Sequence, residues 1–396
     1  MQLARRISRL STESAFAMVP VVAKMRAEGK DVISFGIGEP AFDTPQNIKD
    51  ACIKAINDNQ THYASSSGLL ALKQALAKEG GKFRGMNIEP DEVVVTPGSK
   101  PIIFGSMHAI LDEGDEVIYP NPGYPTYESV ANFIGAKPIA LPLWEKKNFS
   151  FDVEMLKKMV NKKTKMIILN SPQNPTGSML SDKDLEEIAA LAKKFNFWVM
   201  TDEIYSKIVY EGKFTSIASL PGMKERTVIS DGFSKAYAMT GWRLGYGIMP
   251  KELAKHITTL EINANSCTNT FVQIAGVEAI NGDQSEVEGF VEEFKKRRDL
   301  TVKLLNQIKG FKCQVPKGAF YVFPNVSEAC KNLGFKDSLQ LQAYILEKAN
   351  VLVLARTYFG PKNAGENEEY VRLSYVTTPE LIEKGLERVK KLVEGK

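Results

Sequence analysis

The sequence predicts an α/β protein, with a mainly parallel sheet between helices in a large domain and a smaller α+β domain after it. Three observations carry this expectation. Short β-branched or apolar runs alternate with helical runs between about residues 90 and 250. Past Gln284 the texture changes to long, charged, amphipathic helices with short strands between them. A chain of 396 residues, 43% hydrophobic and 25% charged, is long enough for about two or three buried cores and has the composition of neither a disordered nor a collagen-like chain.

Residues 1–45 read as an N-terminal arm and part of the small domain. The opening MQLARRISRLST is rich in Arg and Ser and has no acid before Glu13, which fits an amphipathic arm better than an organelle transit peptide. The large domain is expected over residues 46–284. Within it, residues 92–96, 116–119, 165–169, 197–201 and 227–230 read as strands. Residues 99–111 and 182–195 have helical apolar spacing, and Ser181 with Asp184 three residues later makes an imperfect capping box for the second. The small domain takes residues 285–396, with helices over 286–305 and 379–393 and strands around 319–323, 351–354 and 371–375.

Bulk properties exclude several classes of function. The 51 Lys+Arg and 47 Asp+Glu leave a net charge of +4, and the basic residues are spread along the chain, so no nucleic-acid footprint is expected. Cys52, Cys267, Cys313 and Cys330 form no CxxC pair, and His62, His108 and His256 share no ligand spacing, so neither a metal site nor a disulfide framework is expected. No stretch approaches the ~20 apolar residues that cross a bilayer, and no apolar signal core opens the chain. The expectation is a cytoplasmic protein that acts on small molecules.

In an open parallel sheet, ligands bind beyond the C-terminal strand ends. Here those ends run into Pro97-Gly98-Ser99-Lys100, Pro120-Asn121-Pro122-Gly123-Tyr124, the segment 170–177 (NSPQNPTG), Asp202-Glu203-Ile204-Tyr205 and Asp231-Gly232-Phe233-Ser234-Lys235. Asp202 follows an apolar run, so its buried carboxylate requires a cation, either a protein Lys or Arg or a bound heteroaromatic nitrogen. Lys235 lies in a glycine-containing turn where partial burial lowers the pKa of an amine and exposes it to a carbonyl. Arg243, eight residues on, can hold a phosphate through paired hydrogen bonds, and Gly98-Ser99-Lys100 opens a helix whose free N–H groups make a second anion site. Phosphate, amine-reactive carbonyl and ring nitrogen together describe pyridoxal 5'-phosphate.

At this point a resemblance enters. The run 230–246 (SDGFSKAYAMTGWRLGY) resembles the cofactor-lysine segment of class I/II pyridoxal-phosphate-dependent aminotransferases, the fold-type-I enzymes related to aspartate aminotransferase. The segment 170–177, Asp202-Glu-Ile-Tyr205, Gly38-Glu-Pro40, Pro316-Lys-Gly-Ala-Phe-Tyr321 and Val371-Arg372-Leu-Ser-Tyr375 are similar to that family's other motifs, in its order and spacing, over about residues 5–393. The resemblance implies an L-amino acid:2-oxo acid aminotransferase with ping-pong kinetics, of aspartate type or broad specificity. It implies a Schiff base between Lys235 and pyridoxal phosphate, Asp202 on the pyridine nitrogen, Asn174 and Tyr205 on the phenolic oxygen, and Tyr124 stacked on the ring. Ser99 and Lys100 by backbone, with Ser234 and Arg243, would bind the phosphate, and Tyr63 would reach it from a second subunit of a homodimer. Arg372, helped by Gly38 and Asn174, would take the substrate α-carboxylate.

The chain also departs from the family. Gly232 stands where many relatives have a serine, which shifts the expected phosphate contact towards Ser234. Tyr124 replaces a tryptophan common in aspartate-specific members; stacking is kept, but the case for aspartate is weakened. Arg356, in the loop 354–360 where many relatives have Pro-Gly, is expected either to pair with a substrate side-chain carboxylate or to be a surface arginine. Three rival readings remain at this stage, one of them a non-catalytic regulator that senses an effector, which would need a DNA-reading module although no helix-turn-helix pattern precedes the first family motif. The same cofactor supports β-elimination, decarboxylation or racemisation. Gly36-Ile-Gly38-Glu-Pro-Ala41 fits the dinucleotide pattern of an NAD-dependent dehydrogenase, but Glu39 would face the pyrophosphate, and the next helix is expected only near Thr44-Pro45.

Overall fold

A computed structural model describes residues 2–11 and 14–395; Met1, Thr12, Glu13 and Lys396, and with them part of the expected arm, lie outside the described residues. An eight-stranded sheet forms the centre of the molecule. Its strands, in chain order, are β1 (Val93–Thr96), β2 (Glu116–Asn121), β3 (Lys137–Trp144), β4 (Ser150–Phe151), β5 (Thr164–Asn170), β6 (Trp198–Asp202), β7 (Thr227–Gly232) and β8 (Gly245–Ile248). Their spatial order is β1-β8-β7-β6-β5-β2-β3-β4. The contiguous run β7-β6-β5-β2-β3 is parallel, whereas β8 is antiparallel to both neighbours and β4 to β3.

The five runs read as strands from the sequence are the cores of β1, β2, β5, β6 and β7. Alternate residues of these strands feed separate cores on the two faces, because successive strand side chains point to opposite sides. Ile118, Ile167, Leu169 and Val199 pack with Leu185, Ile188 and Ala192 of helix Asp182–Phe195. Val117, Met166, Ile168 and Met200 pack instead with Ile102, Ile103 and Met107 of helix Lys100–Ile110. The capping box is present: Asp184 N donates to Ser181 Oγ at 3.1 Å, and Ser181 N donates to Asp184 Oδ2 at 3.0 Å.

Strand β8 was hidden in the sequence by Gly245 and Gly247, residues that count against a strand by propensity. Packing explains Gly245: a Cβ there would lie 2.3 Å from the carbonyl carbon of Gly98, so the loop after β1 can approach only a bare backbone.

Helices Ser285–Leu305, Ser338–Ala349 and Pro379–Glu394 share a core with Tyr321, Val351, Val371 and Leu373. Three short strands sit within this part: Tyr321–Val322 and Leu354–Ala355 both pair antiparallel to Val371–Ser374. Ile33–Ser34 joins the same region by pairing in parallel with Val351–Leu352. Among the described residues, no helix is long and apolar enough to cross a membrane.

Candidate active site

The C-terminal ends of β1, β2, β5, β6 and β7 open into a cavity of about 580 Å³, which the region around Arg372 closes from the other side. Eleven of the thirteen residues singled out from the sequence line it: Gly38, Ser99, Lys100, Tyr124, Asn174, Asp202, Tyr205, Ser234, Lys235, Arg243 and Arg372. For Ser99, Lys100, Tyr124, Asn174, Asp202, Tyr205, Ser234 and Lys235 the common cause is topology, since parallel strands deliver all their following loops to one edge of the sheet.

Asp202 ends β6 with only 5% exposure. Tyr127 Oη donates to its Oδ2 at 2.7 Å, and the Ile204 amide donates to Oδ1 at 3.4 Å. Burial pushes its pKa up to about 6, against the Tyr127 hydrogen bond, which lowers it. A carboxylate made this costly to ionise, facing a cavity, suits a cationic ring nitrogen as its partner. Asn170 Nδ2 donates to the Asp202 carbonyl at 3.0 Å, and Asn170 Oδ1 accepts from the Asn174 amide at 2.9 Å, so β5 and β6 fix one another's loops.

Lys235 Nζ donates to the Gly38 carbonyl at 2.6 Å, on the same cavity as the Asp202 carboxylate. Nearby, Tyr205 and Tyr321 share a hydrogen bond of 2.8 Å between their hydroxyls. Burial holds the Tyr205 phenol well above its ordinary value, which keeps it protonated and able to donate to an oxygen in the cavity.

At the mouth, Arg243 donates to the carbonyls of Thr240 at 2.9 Å and Pro97 at 3.3 Å. Gly98 has φ +85°, and a Cβ on it would lie 2.2 Å from Arg243 Nη2, so glycine is what lets the guanidinium reach the start of helix Lys100–Ile110. The guanidinium, the helix N-terminus and Ser234 form a cradle suited to a phosphate. Across the cavity, Arg372 Nη1 donates to Asn174 Oδ1 at 3.0 Å, and Nη2 donates to the Gly36 carbonyl. Its guanidinium carbon stands 4.5 Å from the Tyr321 ring and 4.7 Å from the Phe359 ring. A buried guanidinium beside aromatic rings can pair with a carboxylate through its planar fork of donors.

Two predicted site residues lie outside the cavity. Tyr63 is 89% exposed, on the outside of the single chain. Arg356 contradicts both expectations made for it, since it is neither a surface residue nor a lining one: it is 0% exposed. Its Nε and Nη2 donate to the two oxygens of Glu366 at 2.6 and 2.8 Å, which commits the fork to a protein carboxylate instead of a substrate. The dinucleotide pattern also loses its context, because the next helix begins at Gln46, five residues past Ala41.

The sequence reading missed Tyr127, Tyr321, Phe359 and the apolar wall made by Phe16, Val19, Ile37 and Ile103. Tyr127 had a signal, since its spacing from Tyr124 is one helical turn; Phe16 and Val19 had none, because nothing local says that the arm returns to the sheet.

The model for aminotransferase class I and II matches residues 30–389. The chain belongs to this family, and it is a fold-type-I aminotransferase. It is 37% identical to the aspartate aminotransferase of Bacillus subtilis (strain 168), over 100% of this chain and 99% of that one. It is 39% identical to a probable aspartate/prephenate aminotransferase of Aquifex aeolicus (strain VF5), over 99% and 98%. The crystal structure of an aspartate aminotransferase from Rhizobium meliloti superposes with a TM-score of 0.93 at 36% identity, covering 100% of this chain and 99% of that one.

Proposed function

We propose that the protein moves an amino group from an L-amino acid to a 2-oxo acid, with pyridoxal 5'-phosphate held in the cavity and ping-pong kinetics, as a cytoplasmic homodimer. One observation carries this reading: the Lys235 amine, the buried Asp202 carboxylate, the Arg243 guanidinium beside a helix N-terminus and the buried Arg372 guanidinium line a single cavity. Residues 46–284 would form the cofactor-binding domain, and residues 285–396 with part of 1–45 the smaller one.

In this reading Arg243, Ser234 and the amides of Ser99 and Lys100 hold the phosphate, Tyr124 covers the ring face, and Asn174 with Tyr205 donates to the phenolic oxygen. The cofactor supplies an electron sink for the charge left when the substrate Cα loses its proton. Asp202 supports that role by keeping a proton on the ring nitrogen. Arg372 binds the α-carboxylate and so orients the Cα–H bond, while Lys235 Nζ takes the proton from Cα as general base. The Gly38 carbonyl, 2.6 Å from Nζ, keeps the amine on that side of the cavity. Tyr63, exposed on one chain, is available to complete the phosphate site of a second copy.

The amino donor we propose is of aspartate type. The names of the relatives support this, as does the position of Lys100, whose Nζ stands 5.6 Å from the rings of both Tyr124 and Phe16 on the cavity wall. A broader range is favoured by the apolar side chains of Phe16, Val19, Ile37 and Ile103 on the same cavity, which suit neutral or aromatic donors. A panel of amino acids with 2-oxoglutarate, read by mass spectrometry, separates the two: oxaloacetate and glutamate should form fastest from aspartate. Formation of ammonia, carbon dioxide or a D-amino acid in place of paired oxo-acid and amino-acid products would count against transamination.

A further inference from the structure

Arg356, directly after Leu354–Ala355, stands at a joint between the three-stranded sheet and the eight-stranded one. Besides gripping Glu366, it donates from Nη1 to the Gly360 carbonyl at 3.0 Å and from Nη2 to Asn121 Oδ1 at 3.1 Å. Glu366 also accepts from the backbone and side-chain nitrogens of Asn363, both at 2.9 Å. Asn121 is the last residue of β2, three before Tyr124, and its Nδ2 donates to the Pro361 carbonyl and to Asn363 Oδ1, both at 2.8 Å. A further bond runs from the Gly123 amide to the Phe359 carbonyl at 2.9 Å. Gly360 has φ +109°, and a Cβ there would lie 2.6 Å from Asn121 Oδ1, so loop and strand end meet at a point that tolerates no side chain. Phe359, the residue before it, places its ring 4.7 Å from the Arg372 guanidinium carbon.

We propose that Arg356 is a positioning residue for substrate binding. Through Glu366 and Asn121 it fixes Phe359 against Arg372 and ties that contact to the turn that carries Tyr124. A five-donor guanidinium gripping one carboxylate is directional, so it sets where the loop lies as well as how firmly it is held. Phe359 keeps water from one side of Arg372, and the attraction between Arg372 and a carboxylate strengthens as the local dielectric falls. Every amino-acid substrate carries the same α-carboxylate, so the effect of the joint is indifferent to the substrate side chain. The proposal rests on the reading of Arg372 as the α-carboxylate site.

Arg356→Met, Asn121→Ala and Arg372→Ala test it, each saturated with cofactor and assayed with one dicarboxylic and one neutral amino donor. Arg356→Met should raise KM for both donors about tenfold and Asn121→Ala about threefold, with kcat within about twofold and the cofactor absorption band unchanged. Should Arg356→Met fail to fold, the double replacement Arg356→Met/Glu366→Leu leaves no buried charge unpaired, and Asn121→Ala keeps the ion pair intact. A lower melting temperature with KM unchanged would reduce the joint to a prop for the fold and overturn the proposal. A rise in KM for the dicarboxylic donor alone would also overturn it, by assigning Arg356 to side-chain recognition. An unchanged KM in Arg372→Ala would remove the α-carboxylate reading and the proposal with it; a failure of the joint alone leaves the Arg372→Ala defect in place.

Discussion

Asp202 makes a prediction about pH. Its folded pKa of about 6 lies above the ordinary aspartate value of 3.8, so in the cofactor-free protein the folded state binds a proton that the unfolded state has already released between those values. Stability should therefore be highest below about pH 4 as far as this group is concerned, and fall as pH rises towards about 6 by on the order of 3 kcal/mol. Urea unfolding of the cofactor-free protein across this range should show the slope, and Asp202→Asn should flatten it while weakening cofactor binding. A slope equal in both proteins would place the titration elsewhere. Lys235→Ala should keep cofactor binding, because the phosphate cradle is intact, yet lose steady-state turnover by several orders of magnitude; wild-type kcat in this variant would rule out the amine as general base. Asp202 and Lys235 could be read from the sequence because they end or follow strands of a parallel sheet, whereas Gly38 and Arg372 were reached only through the family resemblance. Arg356 could not, because its fate depends on Glu366, ten residues along an irregular loop, and on Asn121, 235 positions away. A charged side chain near a site looks the same in sequence whether its partner is a substrate or a protein carboxylate.

Elements show where propensity misleads. The helix Asp182–Phe195 could be bounded from its sequence because its cap is local chemistry: a serine and an aspartate that satisfy one another's backbone donors. Strand β8 could not, because its glycines are demanded by a loop that arrives from 147 positions earlier in the chain. Gly245→Ala tests this. The added methyl would push against Gly98 and Ser99, the start of the phosphate cradle, and overpacking of this kind costs about 1–3 kcal/mol. Equilibrium titration should show pyridoxal 5'-phosphate binding weakened about tenfold or more, together with a lower melting temperature; unchanged affinity would mean that the loop approaches β8 without positioning the anion. Beneath the site, Arg84 links Glu203 at 2.7 Å to Asp231 at 2.6 Å, tying together the ends of β6 and β7, one of which carries Asp202 and the other leads to Lys235. Neither carboxylate follows a pattern that names Arg84, since the arginine ends a helix more than a hundred residues earlier.

Across the whole molecule, the sequence distinguished a parallel sheet from a later α+β region because strand and helix periodicities differ along the chain. It could not show how the two regions face each other across the cavity, or that Ile33–Ser34 pairs in parallel with Val351–Leu352. Assembly belongs to this scale as well. Tyr63 is exposed, and within twenty residues of sequence so are the apolar side chains of Ile53, Ile56 and Leu70, which a second copy would bury. Sedimentation should give a dimer. Mixing a Tyr63→Phe chain with a Lys235→Ala chain should yield hybrids that retain one site with both side chains, and hence activity above that of either parent. Activity no higher than the sum of the separate parents would mean that each site is completed within its own chain.

The imine between Lys235 and the cofactor can be trapped chemically. The protein is loaded with pyridoxal 5'-phosphate and reduced with borohydride, and its peptides are mapped by mass spectrometry. One pyridoxyl label per chain is expected, on Lys235; a label on another lysine, or no label in protein that has been given the cofactor, would rule out a Schiff base at this residue.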